Sequence, residues 1–221
     1  STRWYQEIVD NPQWMFSASN SVIVAVFATL IATVLGTIAA LGLSQSHMPY
    51  KPAVMGVLIS PMIVPLIISA AGMFFFYSKI GLAQTLPGLI LAHAVLGTPF
   101  VVITVTATLQ GFDRNMVRAA QSLGARPITA FFGVTLPLIM PGVISGAIFA
   151  FVTSFDEIVV ALFIASPAQH TLPRQLFSGL RDNLDPSIVA IATLLIGVSV
   201  LLMAVVELLR WRSERLARAA D

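Results

Sequence analysis

Apolar residues in this chain run in long unbroken blocks instead of marking one face of each helix. A membrane-spanning helix needs about 20 mostly apolar residues. Blocks at 17–43, 52–77, 86–109, 138–155 and 186–209 meet or approach that length. The first lies in a stretch without a charged residue between Asp10 and Lys51. A further apolar run at 158–164 is too short to span. It reads as a re-entrant or interfacial piece, or as an extension of the fourth helix. The pattern therefore predicts an all-α, polytopic transmembrane bundle with about five spans, forming one domain over 1–221.

Local punctuation agrees with these limits. Asp185-Pro186 supplies an N-cap followed by proline at the first helical position. Gly42 stands where a helix-ending glycine is expected. Pro137 and Pro141 fall at the start of the fourth block, where a missing N–H costs least. Pro61 and Pro65 lie inside the second and should kink it.

Composition strengthens the membrane reading. Of 221 residues, 57% are hydrophobic and only 10% charged, against about 25% charged in soluble domains. The net charge of +2 is spread along the chain, which argues against nucleic acid. The absence of cysteine removes disulfides and thiolate metal sites. Lys51, Arg114, Arg118, Arg126, Arg210, Arg212, Arg215 and Arg218 fall on one side of the predicted topology, and Arg3, Lys79, Arg174 and Arg181 on the other. The richer side is expected to be cytoplasmic, with the tail 210–221 inside and segment 1–16 outside. Trp4, Tyr5 and Trp14 outside, and Trp211 inside, read as interfacial anchors. Arg174 and Arg181 read as rim charges or solvated groups.

One polar, glycine-punctuated island interrupts the apolar blocks at 118–137. Asn115 can cap a short helix through Leu123, with Met116, Ala120 and Leu123 on one face. Gly124 is placed to end it left-handed. Arg126-Pro127 can restart a second short helix through about Phe132. Two short helices with small residues between them suit insertion into a cleft of a soluble partner. An amphipathic loop lying on the membrane surface has the same pattern.

The island resembles the "EAA" loop of bacterial ABC importer permeases. That pattern is Glu-Ala-Ala, three residues, Gly, nine residues, Ile, one residue, Leu-Pro. Here it reads Arg118-Ala119-Ala120, Gly124, Val134 and Leu136-Pro137 in the same spacing. Arg118 reverses the usual charge. Ser154-Phe155-Asp156-Glu157-Ile158-Val159-Val160, Thr171-Leu172-Pro173 and the arginine-ended last block resemble the spermidine/putrescine group of such permeases. The resemblance runs along nearly the whole chain. It implies a type I importer fold in the bacterial inner membrane, with six spans expected in full members. Thr2 to Tyr5 resemble the stretch after their first span, so a preceding helix is expected.

The resemblance also implies roles. Segment 110–137 would be the cytoplasmic coupling loop, with Arg118, Ala119, Ala120, Leu123, Gly124, Leu136 and Pro137 as the handle for an ATPase. Expected partners are a dimer of ATP-binding subunits, a second homologous permease, a periplasmic substrate-binding protein and the bilayer. ATP and magnesium would belong to the ATPase, since these residues contain no Gly-x-x-x-x-Gly-Lys-Ser/Thr loop. No catalytic or metal site is expected.

Intramembrane ionisable groups are costly and normally face a cavity or a partner. Asp156 and Glu157 can form an anionic site on a translocation path, or be two solvated carboxylates at the outer interface. The family resemblance favours the first reading, most of all for Asp156, with Ser154 as a hydrogen-bonding neighbour. His93 reads as a buried, satisfied histidine or as a substrate contact. The 61–66 stretch is wholly apolar where polyamine-type relatives often carry an acid, which leaves a monoamine or an amino acid open as substrate. An ion-coupled secondary transporter using Asp156, Glu157 and His93 is the rival class. It predicts inverted repeats, which this sequence lacks. A membrane enzyme would need an acid/base pair, and adjacent Asp156 and Glu157 would diverge by about 100° on a helix.

Overall fold

The computed structural model describes residues 8, 10–45, 47–182, 188–201 and 204. Trp4, Tyr5, Asp185-Pro186, Trp211 and the 210–221 tail lie outside the described residues. The first helix, α1 (Pro12–Leu43), starts before the predicted residue 17. Asn11 Oδ1 accepts from the Gln13 N–H at 3.0 Å, and Pro12 occupies the first turn, where no donor is needed. At 32 residues α1 is about 48 Å long, well beyond the roughly 30 Å hydrocarbon core. It does not end at a glycine. Gly42 is helical, and Ser44, itself right-handed, closes the last turn on Ala40 O.

The second block is broken, not kinked. It forms α2 (Lys51–Ile63) and α3 (Leu66–Ile80), which meet at 104°. Pro65 makes the break by forcing Val64 into the extended region, with ψ at 134°. Pro61 lies within α2 without ending it. The carbonyl it cannot satisfy, Val57 O, accepts instead from Ser60 Oγ at 2.7 Å. Gly81, at φ +74°, ends α3 in the left-handed region.

Helix α4 (Leu86–Gln110) matches its predicted span and starts on Thr85 Oγ1, which accepts from Gly88 N–H at 3.1 Å. After α5 (Asn115–Ser122), α6 (Pro127–Ala130) passes through a π-helical turn, Phe131–Thr135, into α7 (Leu136–Phe155). The restart at Pro127 is therefore no separate short helix. It begins a 29-residue span, Pro127–Phe155, and Pro137 and Pro141 lie inside it. The wider π turn ends beside Pro137, which has no N–H for Gly133 O and whose ring would crowd that carbonyl in a regular turn. The chain then adds α8 (Val159–Ile164), a 3-10 turn at Pro167–Gln169, α9 (Leu172–Asp182) and α10 (Ile188–Leu201). The apolar run at 158–164 is thus a short helix separate from the span before it.

Helices α1 and α4 run in the same direction and α7 runs against them. Lipid is as apolar as a leucine side chain, so close van der Waals fit, not apolar burial, must hold such helices together. Small residues supply it. A Cβ added at Gly36 would lie 2.7 Å from Val101 Cβ, one at Gly97 2.9 Å from Ala150 Cβ, and one at Gly146 2.7 Å from Val101 Cα. Ala32, Ala40, Val101, Val105, Ile139 and Ala150 fill the seam. A second core joins α3, α4 and α8 through Ala70, Tyr77, Leu89, Ala92, Val160 and Ile164. Trp14 is buried with Ile8, Ala190 and Ile191, so it is a core residue and not an interfacial anchor.

Gly146→Val should cost about 1–3 kcal/mol, because the Val101 backbone cannot yield as a side chain could. The detergent-solubilised protein should lose its monodisperse gel-filtration peak at a lower temperature. Gly56→Ala, where no atom lies within 4 Å, should not lower that temperature.

Candidate functional site

Two groups of sequence-predicted residues lie at opposite ends of the long Pro127–Phe155 helix. At its beginning is the polar island. Asp113 Oδ1, not Asn115, caps α5, accepting the Asn115 N–H at 2.9 Å. Asn115 is the first helical residue. Gly124 adopts φ +90°, the left-handed exit predicted for it. Ala119 and Arg118 are exposed, Ala120 is half-buried, and Leu123 is 90% exposed. Leu136 packs against the α1–α4–α7 seam, while Pro137 is exposed.

Arg114 fastens the island to the bundle. It donates to Ser44 O and, at 3.4 Å, to Gln45 Oε1. Those contacts hold α5 across the adjacent ends of α1 and α4. A cleft of about 420 Å³ remains beneath it, lined by Leu41, Leu109, Val117, Arg118, Phe131 and Thr135 among others. An exposed leucine beside a rigid glycine exit is unlike a loop packed on its own domain. It is a knob without a hole.

The far end of the same helix holds the acidic turn. His93, Ser154 and Glu157 come together there, 1%, 4% and 6% exposed. His93 Nδ1 lies 2.9 Å from Ser154 Oγ and 3.1 Å from Ser154 O. With the ring proton on Nε2, Ser154 Oγ–H donates to Nδ1, and Nε2–H is aimed at Glu157 Oε2. That last separation, 3.7 Å, is beyond hydrogen-bond reach but remains attractive.

Glu157 is also engaged by backbone. Its Oε1 accepts from Val160 N–H at 2.9 Å and its Oε2 from Ala161 N–H at 3.1 Å. Both are orphan donors of α8's first turn. A six-residue helix, shorter than any that stands alone in water, is thus capped from the residue before its N-cap. Its other end is held too: Gln84 N–H donates to Ile164 O at 2.9 Å, and Arg174 Nη1 donates to Ala165 O at 2.7 Å and Ser166 O at 3.2 Å. Arg174 is therefore a half-buried fastener, not a rim charge, and its desolvation lowers its pKa.

Asp156 is left out of this cluster. It closes α7 through its N–H to Val152 O at 3.0 Å, and its side chain is exposed. No described cation or donor pairs with its carboxylate. Sequence reasoning ranked Asp156 above Glu157 and did not see the cap. The spacing carried a signal: Glu157 stands three and four residues before the donors of an apolar run too short to hold itself. No cluster of metal-ligating residues occurs among the described residues.

An exposed knob thus lies at one end, and a buried polar cluster at the other, of one long helix in a multi-pass bundle. Comparison with known proteins supplies the class. Residues 32–215 match the family described as binding-protein-dependent transport system inner membrane component, and this chain belongs to that family. It is 32% identical over 209 residues to the spermidine/putrescine transport system permease protein PotC of Haemophilus influenzae, covering 95% of this chain and 81% of the relative. It is 34% identical over 204 residues to the putrescine transport system permease protein PotI of Escherichia coli K12, covering 89% and 73%. Among solved structures, a chain of a bacterial ABC transporter involved in the import of the acidic polysaccharide alginate aligns at TM-score 0.75 and 15% identity, covering 92% of this chain and 78% of that one. A chain of an amino acid ABC transporter aligns at 0.69 and 17%, covering 95% and 98%. At such identities the likeness establishes the fold, that of ABC importer permeases.

Removing the Glu157 cap leaves two buried N–H groups unsatisfied, at about 1–3 kcal/mol each. Glu157→Ala should lower the unfolding temperature of the purified protein measurably. Asp156→Ala, which removes no described contact, should not.

Proposed function

We propose that this chain is the membrane-spanning permease of an ATP-driven importer whose cargo is a polyamine such as putrescine or spermidine. The carrying observation is the continuous Pro127–Phe155 helix, which joins the exposed knob at one end to the acidic turn at the other. A push on α5 is delivered along a rigid rod to the residues around Asp156. Supporting the cargo reading, the relatives named above are permeases of spermidine/putrescine and putrescine systems and align over most of this chain.

In this reading α5 and the start of the long helix face the cytoplasm. Leu123, Ala119 and Gly124 enter a cleft on an ATPase subunit, which binds ATP and magnesium. Arg118, exposed on the same helix, makes a contact of opposite sign to the glutamate usual at that place. ATP binding draws two ATPase subunits together. The helices of this chain and of a second permease rock, and the path between them opens outward. A periplasmic binding protein then releases its cargo at the outer end. Asp156, exposed and without a partner among the described residues, is the carboxylate an entering ammonium meets there, with His93, Ser154 and Glu157 behind it. The apolar Pro61–Leu66 stretch offers no second carboxylate, which keeps a monoamine or γ-amino acid as the competing cargo.

The test is uptake of labelled putrescine into proteoliposomes holding the assembled complex, its binding protein and internal ATP. Leu123→Asp should cut uptake roughly tenfold or more, the effect of losing one buried interface anchor, with the permease still inserted. Unchanged uptake would refute the coupling role. Failure of excess putrescine to compete with a γ-amino acid that is itself transported would refute the cargo assignment.

A further inference from the structure

We infer that Glu157 does not bind the cargo cation but, with His93 and Ser154, positions Asp156 to do so. This deepens the cargo reading above and rests on it. Three observations carry it. First, both oxygens of Glu157 are committed to Val160 and Ala161 N–H, and the residue is 6% exposed. A cation arriving from the path would have to displace two charge-assisted hydrogen bonds and unfasten α8. Second, Asp156 sits between two anchored residues. Ser154, on one side, is held by His93 of α4, whose Nδ1 accepts from Ser154 Oγ–H at 2.9 Å. Glu157, on the other, is held by α8. Third, Asp156 itself has φ −94° and ψ 3° at the end of α7 and its N–H donates to Val152 O at 3.0 Å, so its backbone is fixed while its exposed carboxylate has no partner among the described residues.

The turn is thus a mount with one carboxylate built in and one presented. On an unanchored turn the backbone would lose freedom when the carboxylate meets a cation. The anchored turn has lost that backbone freedom on folding, so more of the attraction is available for binding. The mount also joins α4, α7 and α8, so a movement of α7 relative to α4 would change where Asp156 points.

A double-mutant cycle on putrescine uptake by the full reconstituted complex tests this. Asp156→Asn should raise KM about fivefold, as for a partly exposed ion pair, and should erase the preference for putrescine over butylamine, its monocationic analogue. Glu157→Gln keeps one acceptor for α8 and should raise KM about threefold in the same sense, weakening that preference. Ser154→Ala, a milder change that removes only the hydroxyl held by His93, should act in the same direction and covers the case in which Glu157→Gln fails to assemble. The combination of Asp156→Asn with Glu157→Gln, or with Ser154→Ala, should be no worse than Asp156→Asn alone, because nothing remains to position. Losses that multiply would make Glu157 a cation ligand in its own right and overturn the inference, as would a preference for the dication untouched by Glu157→Gln and Ser154→Ala. Absence of putrescine uptake by the wild-type complex would instead overturn the cargo reading, and this inference with it.

Discussion

Close approach of three helices is the constraint on which the rest depends. In lipid, apolar surface gives no net reward for meeting other apolar surface, so helices stay together where their backbones come near enough for dense contact. Gly36, Gly97 and Gly146 permit that approach around Val101 and Ala150. The seam then fixes the long helix as a rod against α1 and α4. The two candidate functional regions lie at the ends of that rod: the α5 knob at one, steadied by Arg114 on Ser44, and the acidic turn at the other, steadied by His93. On the proposed coupling, a loosely packed seam would let the rod slide, and a push on the knob would not reach the far end.

The polar cluster at 93, 154 and 157 shows how this bundle keeps ionisable groups buried. Ser154 bonds His93, Glu157 bonds two backbone donors, and His93 Nε2 faces Glu157 Oε2 at 3.7 Å without a hydrogen bond. Buried polar groups with partners specify one arrangement of the elements that carry them. Here those elements are a span, the end of another span and a six-residue helix that could not persist alone. Arg174 repeats the device at that helix's other end, using a guanidinium on carbonyls where Glu157 uses a carboxyl on amides.

Much of this was legible in the residues. Long apolar blocks located three spans and one broken pair among the described residues, and the third matched almost to the residue because threonine and proline mark its start and a glycine follows its end. The island's glycine adopted the backbone angle its position called for. What the sequence hid was decided by longer-range packing or by competition between equal signals. Pro61 and Pro65 look alike in sequence, but a serine hydroxyl satisfies the carbonyl left free by the first and the second breaks the chain. Pro137 and Pro141 look like a helix start, but a π turn lets the helix run on from Pro127. Trp14 resembles an interfacial anchor until α9 and α10 cover it. Asp156 and Glu157 are neighbours of like charge, and only the fold turns one inward to cap a helix and the other out.

The proposed mechanism stands or falls with α5 as a handle gripped by a separate ATPase. Since the chain has no cysteine, Leu123→Cys places a single thiol on the exposed knob. Labelling of that thiol by a membrane-impermeant maleimide, in inside-out vesicles with and without bound ATPase subunits, is the most direct measurement. A gripped handle gives fast labelling of the stripped permease and strong protection when the ATPase is bound. Equal labelling in both states, or no labelling in either, would contradict it.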